Sequence, residues 1–162
     1  MSFDPVEICA ALVAEGVQFV LLGGFAGVVH GSPLPTEDID ILPSRTDENL
    51  ERLARALQHL GAEIRTGDEP IETKIDAAFI RNMPHMLNFV TRYGDLDLVF
   101  TPAGALTSYE QWAVAARSAE LREGLVVEVA ALDDIIASKS AANRPKDQRS
   151  LPYLESLRDQ LG

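Results

Sequence analysis

The sequence predicts one domain of the mixed α/β (α+β) class, and three patterns in the chain support that prediction. Residues 17–22 form an apolar run of β-favouring residues, which is typical of a buried strand. Apolar residues alternate with aspartates over residues 38–42, which is the period of a strand with one buried face. Leucines then recur at helical spacing between residues 50 and 60, so a helix follows this strand.

The remaining segments continue the alternation of helices and strands. Asp4 and Pro5 predict the start of a first helix, because aspartate caps free helical N–H groups and proline fits the first helical position. Further strands are predicted over residues 62–65, 86–91 and 96–100, with a hairpin over residues 119–129. Further helices are predicted over residues 25–30, 107–112, 132–142 and 145–161. Residues 75–81 fit either a strand or a helix, and residues 67–70 fit a loop.

The length and charge of the chain restrict its organisation and its partners. With 162 residues the chain is too short for two ordinary domains, and we expect a core over residues 1–130 with a helical segment over residues 131–162. The net charge of -11 argues against a broad basic surface that coats nucleic acid. Acidity instead suits a site for divalent cations, a basic partner protein, or solubility alone.

The remaining composition favours a cytoplasmic protein. The single cysteine, Cys9, cannot form a disulfide within one chain and lies in an apolar helical pattern typical of a core. The first residues carry no basic segment of the kind that precedes a secretion signal. No apolar run approaches the length that spans a membrane, so we expect no membrane partner.

Two aspartates, Asp38 and Asp40, share one face of their predicted strand, because residues two apart on a strand point the same way. Neighbouring carboxylates repel each other unless a cation neutralises them, and Mg²⁺ prefers such oxygen ligands together with phosphate and water. Asp97, on a later apolar strand, would supply the third carboxylate of a two-metal site. Asp95 competes for that role, and we favour Asp97 because it lies deeper in its strand.

A glycine pair, Gly23 and Gly24, lies between the first buried strand and a short predicted helix. Glycine lets the backbone approach a phosphate closely, and the helix N-terminus offers free N–H groups. The pair alone is weak evidence, because many strand-to-helix turns need glycine. In combination with the three aspartates downstream, it predicts a phosphate site beside a metal site.

These motifs together resemble the nucleotidyltransferase superfamily, which shares the fold of DNA polymerase β. Within that superfamily, the chain more closely resembles the small bacterial branch that includes AbiEii-type toxins and minimal nucleotidyltransferases. This resemblance is carried by the Leu-Leu-Gly-Gly-Phe-Ala motif at residues 21–26, by His30 with Gly31, and by the Thr-Glu-Asp-Ile-Asp-Ile motif at residues 36–41. Residues 129–147 resemble the C-terminal segment of that branch. The resemblance implies a mixed, twisted β-sheet flanked by helices, with further helices at the C-terminal end.

The resemblance also implies a Mg²⁺-dependent reaction, with Mn²⁺ as an alternative ion, that transfers a nucleoside monophosphate from an NTP to a hydroxyl group. The catalytic and metal-binding residues would be Asp38, Asp40 and Asp97. The nucleotide phosphates would be bound by Gly23, Gly24, Thr36 and Lys139.

The acceptor of the nucleotide stays open. The resemblance favours tRNA or another RNA, in a toxin–antitoxin or phage-defence context. The alternatives are a partner toxin protein that receives AMP from an antitoxin of this fold, an aminoglycoside antibiotic, or a silent binding module without catalysis. Leu34 stands where members of the branch often carry an arginine, which argues against a substrate contact at that position.

Several basic residues are secondary candidates for the site. Arg144, Lys146 and Asp147 fit either a cluster at the start of the last helix or a substrate contact, and we favour the structural role. Arg81 and Arg92 are less favoured candidates to face the cleft, since an acidic protein that binds a triphosphate needs positive charge near it.

Overall fold

The computed structural model of the chain describes residues 3–67 and 74–162. The strands are β1 (Phe19–Leu22), β2 (Asp38–Pro43), β3 (Glu63–Ile64), β4 (Met86–Thr91), β5 (Gly94–Val99), β6 (Arg117–Arg122) and β7 (Leu125–Val129). The helices are α1 (Pro5–Ala14), α2 (Gly23–His30), α3 (Asp47–His59), α4 (Ala77–Arg81), α5 (Tyr109–Ala113), α6 (Leu132–Ala142) and α7 (Pro145–Leu161).

The described strands form one sheet of mixed direction in the order β3-β4-β5-β2-β1-β7-β6. The pairs β2–β5 and β1–β7 are parallel, and the other four pairs are antiparallel. The predicted α/β class with a mixed sheet flanked by helices is therefore confirmed. The ambiguous residues 75–81 contain helix α4, and the loop predicted over residues 67–70 lies outside the described residues after Gly67.

Burial explains why these segments take these forms. All four residues of β1 are buried, which agrees with its continuous apolar sequence. In β4 and in the first four residues of β2, buried residues alternate with residues that face the other side of the sheet. Helix α3 begins where the side chain of Thr46 accepts a hydrogen bond from the N–H of Asn49, and it buries its row of leucines in the core, where it packs beside α1 and α4.

The two C-terminal helices, α6 and α7, pack against each other. Asn143 ends α6 in a left-handed conformation, which asparagine tolerates better than most residues. Pro145 then begins α7 at the first helical position. This tight connection places the first turns of α7 beside the last turn of α6, opposite one face of the sheet. No described helix is long and apolar enough to cross a membrane.

Candidate active site

Four aspartates lie side by side on one face of the sheet, because β2 and β5 are parallel neighbours in register. Asp38 pairs with Asp95, and Asp40 pairs with Asp97. The residues between them, such as Ile39, are buried on the opposite face. The alternation that the sequence shows in each strand therefore produces a row of carboxylates facing a cleft.

Three of these aspartates form a group that could hold a divalent cation. One carboxylate oxygen from each of Asp38, Asp40 and Asp97 lies within 4.8 Å of the others. Three oxygen donors at this separation suit the coordination that Mg²⁺ prefers. The side chain of Asp97 is 8% exposed, whereas that of Asp95 is 39% exposed and lies outside the group. The geometry thus places Asp97, rather than Asp95, beside the other two acids.

The electrostatics of this group are unfavourable without a cation. Burial, together with the charges of Asp38 and Asp97, raises the pKa of Asp40 to about 7. Burial also raises the pKa of Asp97, although the guanidinium of Arg65 opposes that change. A bound cation would favour the ionised carboxylates and reverse both effects.

The glycine pair lies directly against this acidic group. Gly23 has a φ of +69°, and a Cβ at that position would lie 2.0 Å from Oδ2 of Asp40. A Cβ on Gly24 would lie 2.9 Å from Oγ1 of Thr36, whose hydroxyl donates to the carbonyl oxygen of Asp38 over 3.0 Å. Only glycine fits both places. The turn thereby brings the N-terminus of α2, where helical N–H groups lack partners within the helix, next to the acids, and both glycines line the cleft.

The opposite wall of the cleft is basic and belongs to α6 and α7. Lys139 lies on α6, and the first turns of α7 contribute Arg144, Lys146 and Arg149. The charge of Lys146 acts on Asp40 and lowers its pKa slightly against the larger opposing effects. This arrangement sets cations opposite carboxylates across a cleft of about 1020 Å³, which suits an anionic ligand that carries a metal ion.

A fully buried carboxylate, Asp147, holds part of the basic wall in place. Nε of Arg144 donates to Oδ2 of Asp147 over 2.7 Å, and Nζ of Lys139 lies 3.5 Å from Oδ1. Burial alone would raise the pKa of Asp147, but the hydrogen bonds from Arg144 outweigh it and keep that pKa below its usual range. These contacts agree with the structural role expected for this cluster, and its basic residues also border the cleft.

The sequence did not point to two further residues of the cleft, Arg65 and Asn88. Nη2 of Arg65 donates to Oδ1 of Asp97 over 2.7 Å, and Nη1 lies 3.1 Å from Asp95. Asn88 pairs with Asp97 across β4 and β5. Both residues reach the site through strand pairing between distant segments, which leaves no local motif in the sequence.

Two basic candidates lie elsewhere. The residues that line the cleft, among those described, do not include Arg81 or Arg92. Arg81 pairs with Asp47 over 2.9 Å instead. His30, which carries part of the family resemblance, has Nε2 at 2.7 Å from the carbonyl oxygen of Ala130 and connects α2 to the end of β7.

The sheet, the acidic group and the glycine turn define the class of this protein as a nucleotidyltransferase. Residues 8–159 match the model of one family, described as the nucleotidyl transferase AbiEii toxin of a type IV TA system. The chain belongs to this family. Membership implies a nucleotide substrate and a toxin–antitoxin context.

Solved structures share the fold at low sequence identity. The lincomycin-bound lincosamide antibiotic adenylyltransferase LnuA matches with a TM-score of 0.64 at 15% identity, covering 96% of this chain and 98% of that one. The antibiotic-resistance factor ANT(2'')-Ia matches with a TM-score of 0.59 at 15% identity, covering 98% and 84%. The nucleotidyltransferase TM1012 from Thermotoga maritima, whose function is given as putative, matches with a TM-score of 0.52 at 16% identity, covering 96% and 88%. None of the curated proteins compared with the chain matches it in sequence.

Proposed function

We propose that the protein transfers a nucleoside monophosphate from an NTP to a hydroxyl group of an RNA, with tRNA as the first candidate, in a Mg²⁺-dependent reaction. The observation that carries this proposal is the group formed by Asp38, Asp40 and Asp97, whose oxygens lie within 4.8 Å of one another beside the glycine turn. The family's description as a toxin supports an acceptor whose modification harms the cell.

In this proposal the triphosphate lies between the two walls of the cleft. The N–H groups at the start of α2, freed by Gly23 and Gly24, bind phosphate oxygens. Thr36 holds the preceding loop against β2, and Lys139 faces the phosphates from the helical wall. The N–H groups of α2 and the ammonium group of Lys139 would thus hold the triphosphate from two sides. The α-phosphorus would then lie next to the three aspartates.

The divalent cations, held by Asp38, Asp40 and Asp97, would neutralise charge on the phosphates and on the attacking oxygen. The acceptor oxygen forms a bond to the α-phosphorus as the bond to the bridging oxygen breaks, and pyrophosphate leaves with that electron pair. The proton of the acceptor passes to Asp97. Arg65 donates a hydrogen bond to Oδ1 of that side chain and so holds Asp97 in position.

A labelling experiment tests this function. The protein is incubated with total tRNA, Mg²⁺ and each labelled NTP in turn, beside a variant that combines Asp38→Ala with Asp40→Ala. We expect label to enter tRNA with at least one NTP and to be lost in the double variant. Asp133→Ala removes an acid outside the cleft and serves as the matched control. Lack of transfer by protein that binds Mg²⁺ and NTP in calorimetry would contradict the proposal.

A second candidate is transfer of AMP to a partner protein. The net charge of -11 favours it, because an acidic surface attracts a basic partner more readily than an RNA. The same assay with a basic partner protein in place of tRNA separates the two functions, since label would then enter protein and not nucleic acid.

A further inference from the structure

The cleft contains two kinds of basic residue. Among the basic residues that line it in the described part of the chain, Arg65, Lys139 and Arg144 each form an ion pair with an aspartate. Lys146 and Arg149 are exposed, and neither forms an ion pair or a side-chain hydrogen bond with another described residue. In a chain with 25 acidic and 14 basic side chains, two cations that remain unpaired inside a cleft can serve an anionic ligand.

The two unpaired cations lie on one face of α7, because residues three apart on a helix are neighbours. Lys146 and Arg149 begin this face, and Ser150 and Leu154 continue it at helical spacing along the cleft. The charge of Lys146 acts on Asp40, so this face of α7 lies opposite the acids. Helix α7 therefore presents two cations, about one turn apart, to the acidic wall.

Two contacts show the direction in which α7 runs past α2. A Cβ on Gly27 would lie 3.3 Å from Cδ2 of Leu154, and a Cβ on Gly31 would lie 3.5 Å from Cδ1 of Leu157. The two helices therefore advance the same way along their contact. Lys146 precedes Leu154 by about 12 Å along the helix axis, whereas α2 begins only about 6 Å before Gly27. The start of α7 thus extends beyond the N-terminus of α2.

The space in front of α2 is where the proposed reaction puts the leaving group. With the α-phosphorus beside the three aspartates, the β- and γ-phosphates extend toward the start of α2. When the bond from the α-phosphorus to the bridging oxygen breaks, pyrophosphate takes the electron pair and gains negative charge. Cations already in place there stabilise that charge as it develops. Lys139 supplies less of this stabilisation, because its side chain is 16% exposed and lies 3.5 Å from the carboxylate of Asp147.

We propose that Lys146 and Arg149 bind the β- and γ-phosphates of the nucleotide and hold pyrophosphate as it leaves. This inference rests on the proposed transferase function. Lys139 and Arg144, which share Asp147, fix the start of α7 so that the two unpaired cations face the phosphates. The affinity that the two cations provide therefore depends on the phosphates beyond the α-phosphate.

A binding experiment separates these phosphates from the rest of the nucleotide. Calorimetry in the presence of Mg²⁺ compares pyrophosphate, which contains the groups in question, with the nucleoside monophosphates, which lack them. We expect Lys146→Met and Arg149→Met each to raise the Kd for pyrophosphate by roughly 10-fold, because each removes a charged hydrogen bond to phosphate. A non-hydrolysable NTP should show the same loss, whereas the Kd for a monophosphate should stay within about twofold of the wild type.

Two further variants control for charge and for folding. Lys146→Arg keeps the charge and should retain the Kd for pyrophosphate within about threefold of the wild type. Arg158→Met removes the same charge from an exposed position later in α7, outside the cleft, and should leave that Kd within about twofold. Thermal unfolding checks each variant, and the separate substitutions of Lys146 and Arg149 keep the test independent of any one variant that fails to fold.

The unaltered protein offers a second readout, because the chain has only three lysines, Lys74, Lys139 and Lys146. Acetylation followed by mass spectrometry measures how fast each amine reacts with and without magnesium pyrophosphate. Pyrophosphate at ten times its Kd should slow the acetylation of Lys146 by about tenfold, since only the free protein reacts there. Lys74, which is 88% exposed outside the cleft, should react equally in both conditions.

Unchanged pyrophosphate affinity in both methionine variants, or equal acetylation of Lys146 with and without pyrophosphate, would overturn the role of the two cations. Weaker tRNA binding in these variants with pyrophosphate binding intact would overturn it as well, and would assign the cations to the acceptor. Label transfer by the wild type separates this outcome from the function on which it rests. Lack of transfer to every acceptor, with pyrophosphate affinity lowered in the variants, would contradict the transferase function and support the pyrophosphate site.

Discussion

Asp40 belongs to the sheet wall of the cleft and Asp147 to the helical wall, and the two carboxylates have opposite surroundings. The neighbours of Asp40 are Asp38 and Asp97, and burial with these charges raises its pKa to about 7. Asp147 is fully buried, yet Arg144 and Lys139 surround it and its pKa is lowered. The protein neutralises the acid that organises its own helices, whereas Asp38 and Asp40 of the sheet form no ion pair with any of the described residues. Uncompensated carboxylates of this kind are what an external cation requires.

The largest effect that this comparison predicts is the loss of transfer in Asp40→Asn. We expect the rate to fall by at least about 10³-fold, because an amide is a poor ligand where a charged oxygen is needed to hold the cation. The same change should stabilise the metal-free protein near neutral pH, since it removes repulsion among the acids. Label transfer and thermal unfolding measure the two effects.

The matched control for that substitution is Asp133→Asn, which lies at the start of α6 outside the acidic group. It should keep transfer within about threefold of the wild type. If Asp40→Asn retained transfer within tenfold, the acidic group would not be the metal centre of the reaction, and the contrast with Asp147 would lose its functional meaning.

The second effect is a loss of stability in Asp147→Ala. Asp147→Ala removes the acceptor of the hydrogen bonds from Arg144 and Lys139, so we expect the free energy of unfolding to fall by about 2 kcal/mol. Urea denaturation measures this change. The exposed pair of Arg158 with Asp159 provides the control, because Asp159→Ala should change stability by less than about 0.5 kcal/mol. Similar values for the two variants would show that the cluster does not organise the helical wall.

The two carboxylates also differ in what the sequence could reveal. The position of Asp40 follows from local patterns: the alternation in residues 38–42 sets its face, and the glycine pair fixes the adjacent turn. The choice of Asp97 over Asp95 follows from its depth in a strand, and the structure brings Asp97 into the acidic group. The mixed sheet was predicted from the family resemblance and is confirmed.

Other residues of the cleft depend on contacts between distant parts of the chain. Asn88 and Arg65 reach Asp97 only because β3, β4 and β5 are neighbours, and their pairing cannot be read from any one of those segments. The contact of Lys139 with Asp147 depends in the same way on how α6 turns into α7. Arg81 was a candidate on charge alone, but its charge does not show which way the side chain points. In the structure it pairs with Asp47 outside the cleft.

The third prediction concerns pH, and the two acids should act with opposite sign. The folded-state pKa of Asp40, about 7, lies above the ordinary value near 4, so the folded protein binds a proton that the unfolded chain has lost. Metal-free protein should therefore lose on the order of 2 kcal/mol of stability as pH rises from about 4 to about 7. Asp147, with its lowered pKa, contributes stability above its unfolded pKa that is lost as pH falls through its folded value.

Urea denaturation with a chelator across this pH range measures the contribution of Asp40. Excess Mg²⁺ should restore the stability lost near neutral pH, because the cation binds the folded state alone. Asp40→Asn should flatten the slope and remove the response to Mg²⁺. A wild-type slope that stays unchanged in this variant would assign the pH dependence to groups other than Asp40.

The smallest expected effect distinguishes the two acids of β5. Asp95→Asn weakens one contact of Arg65, whose Nη1 lies 3.1 Å from Asp95, but leaves the 2.7 Å contact of Nη2 with Asp97 in place. Because Asp95 lies outside the acidic group, we expect transfer to fall by about threefold or less. Asp97→Asn is the paired comparison, and it should cost at least about 10³-fold. Equal losses in the two variants would mean that Arg65 and its pair of acids act as one unit. The functional acidic group would then include Asp95 as well as Asp38, Asp40 and Asp97.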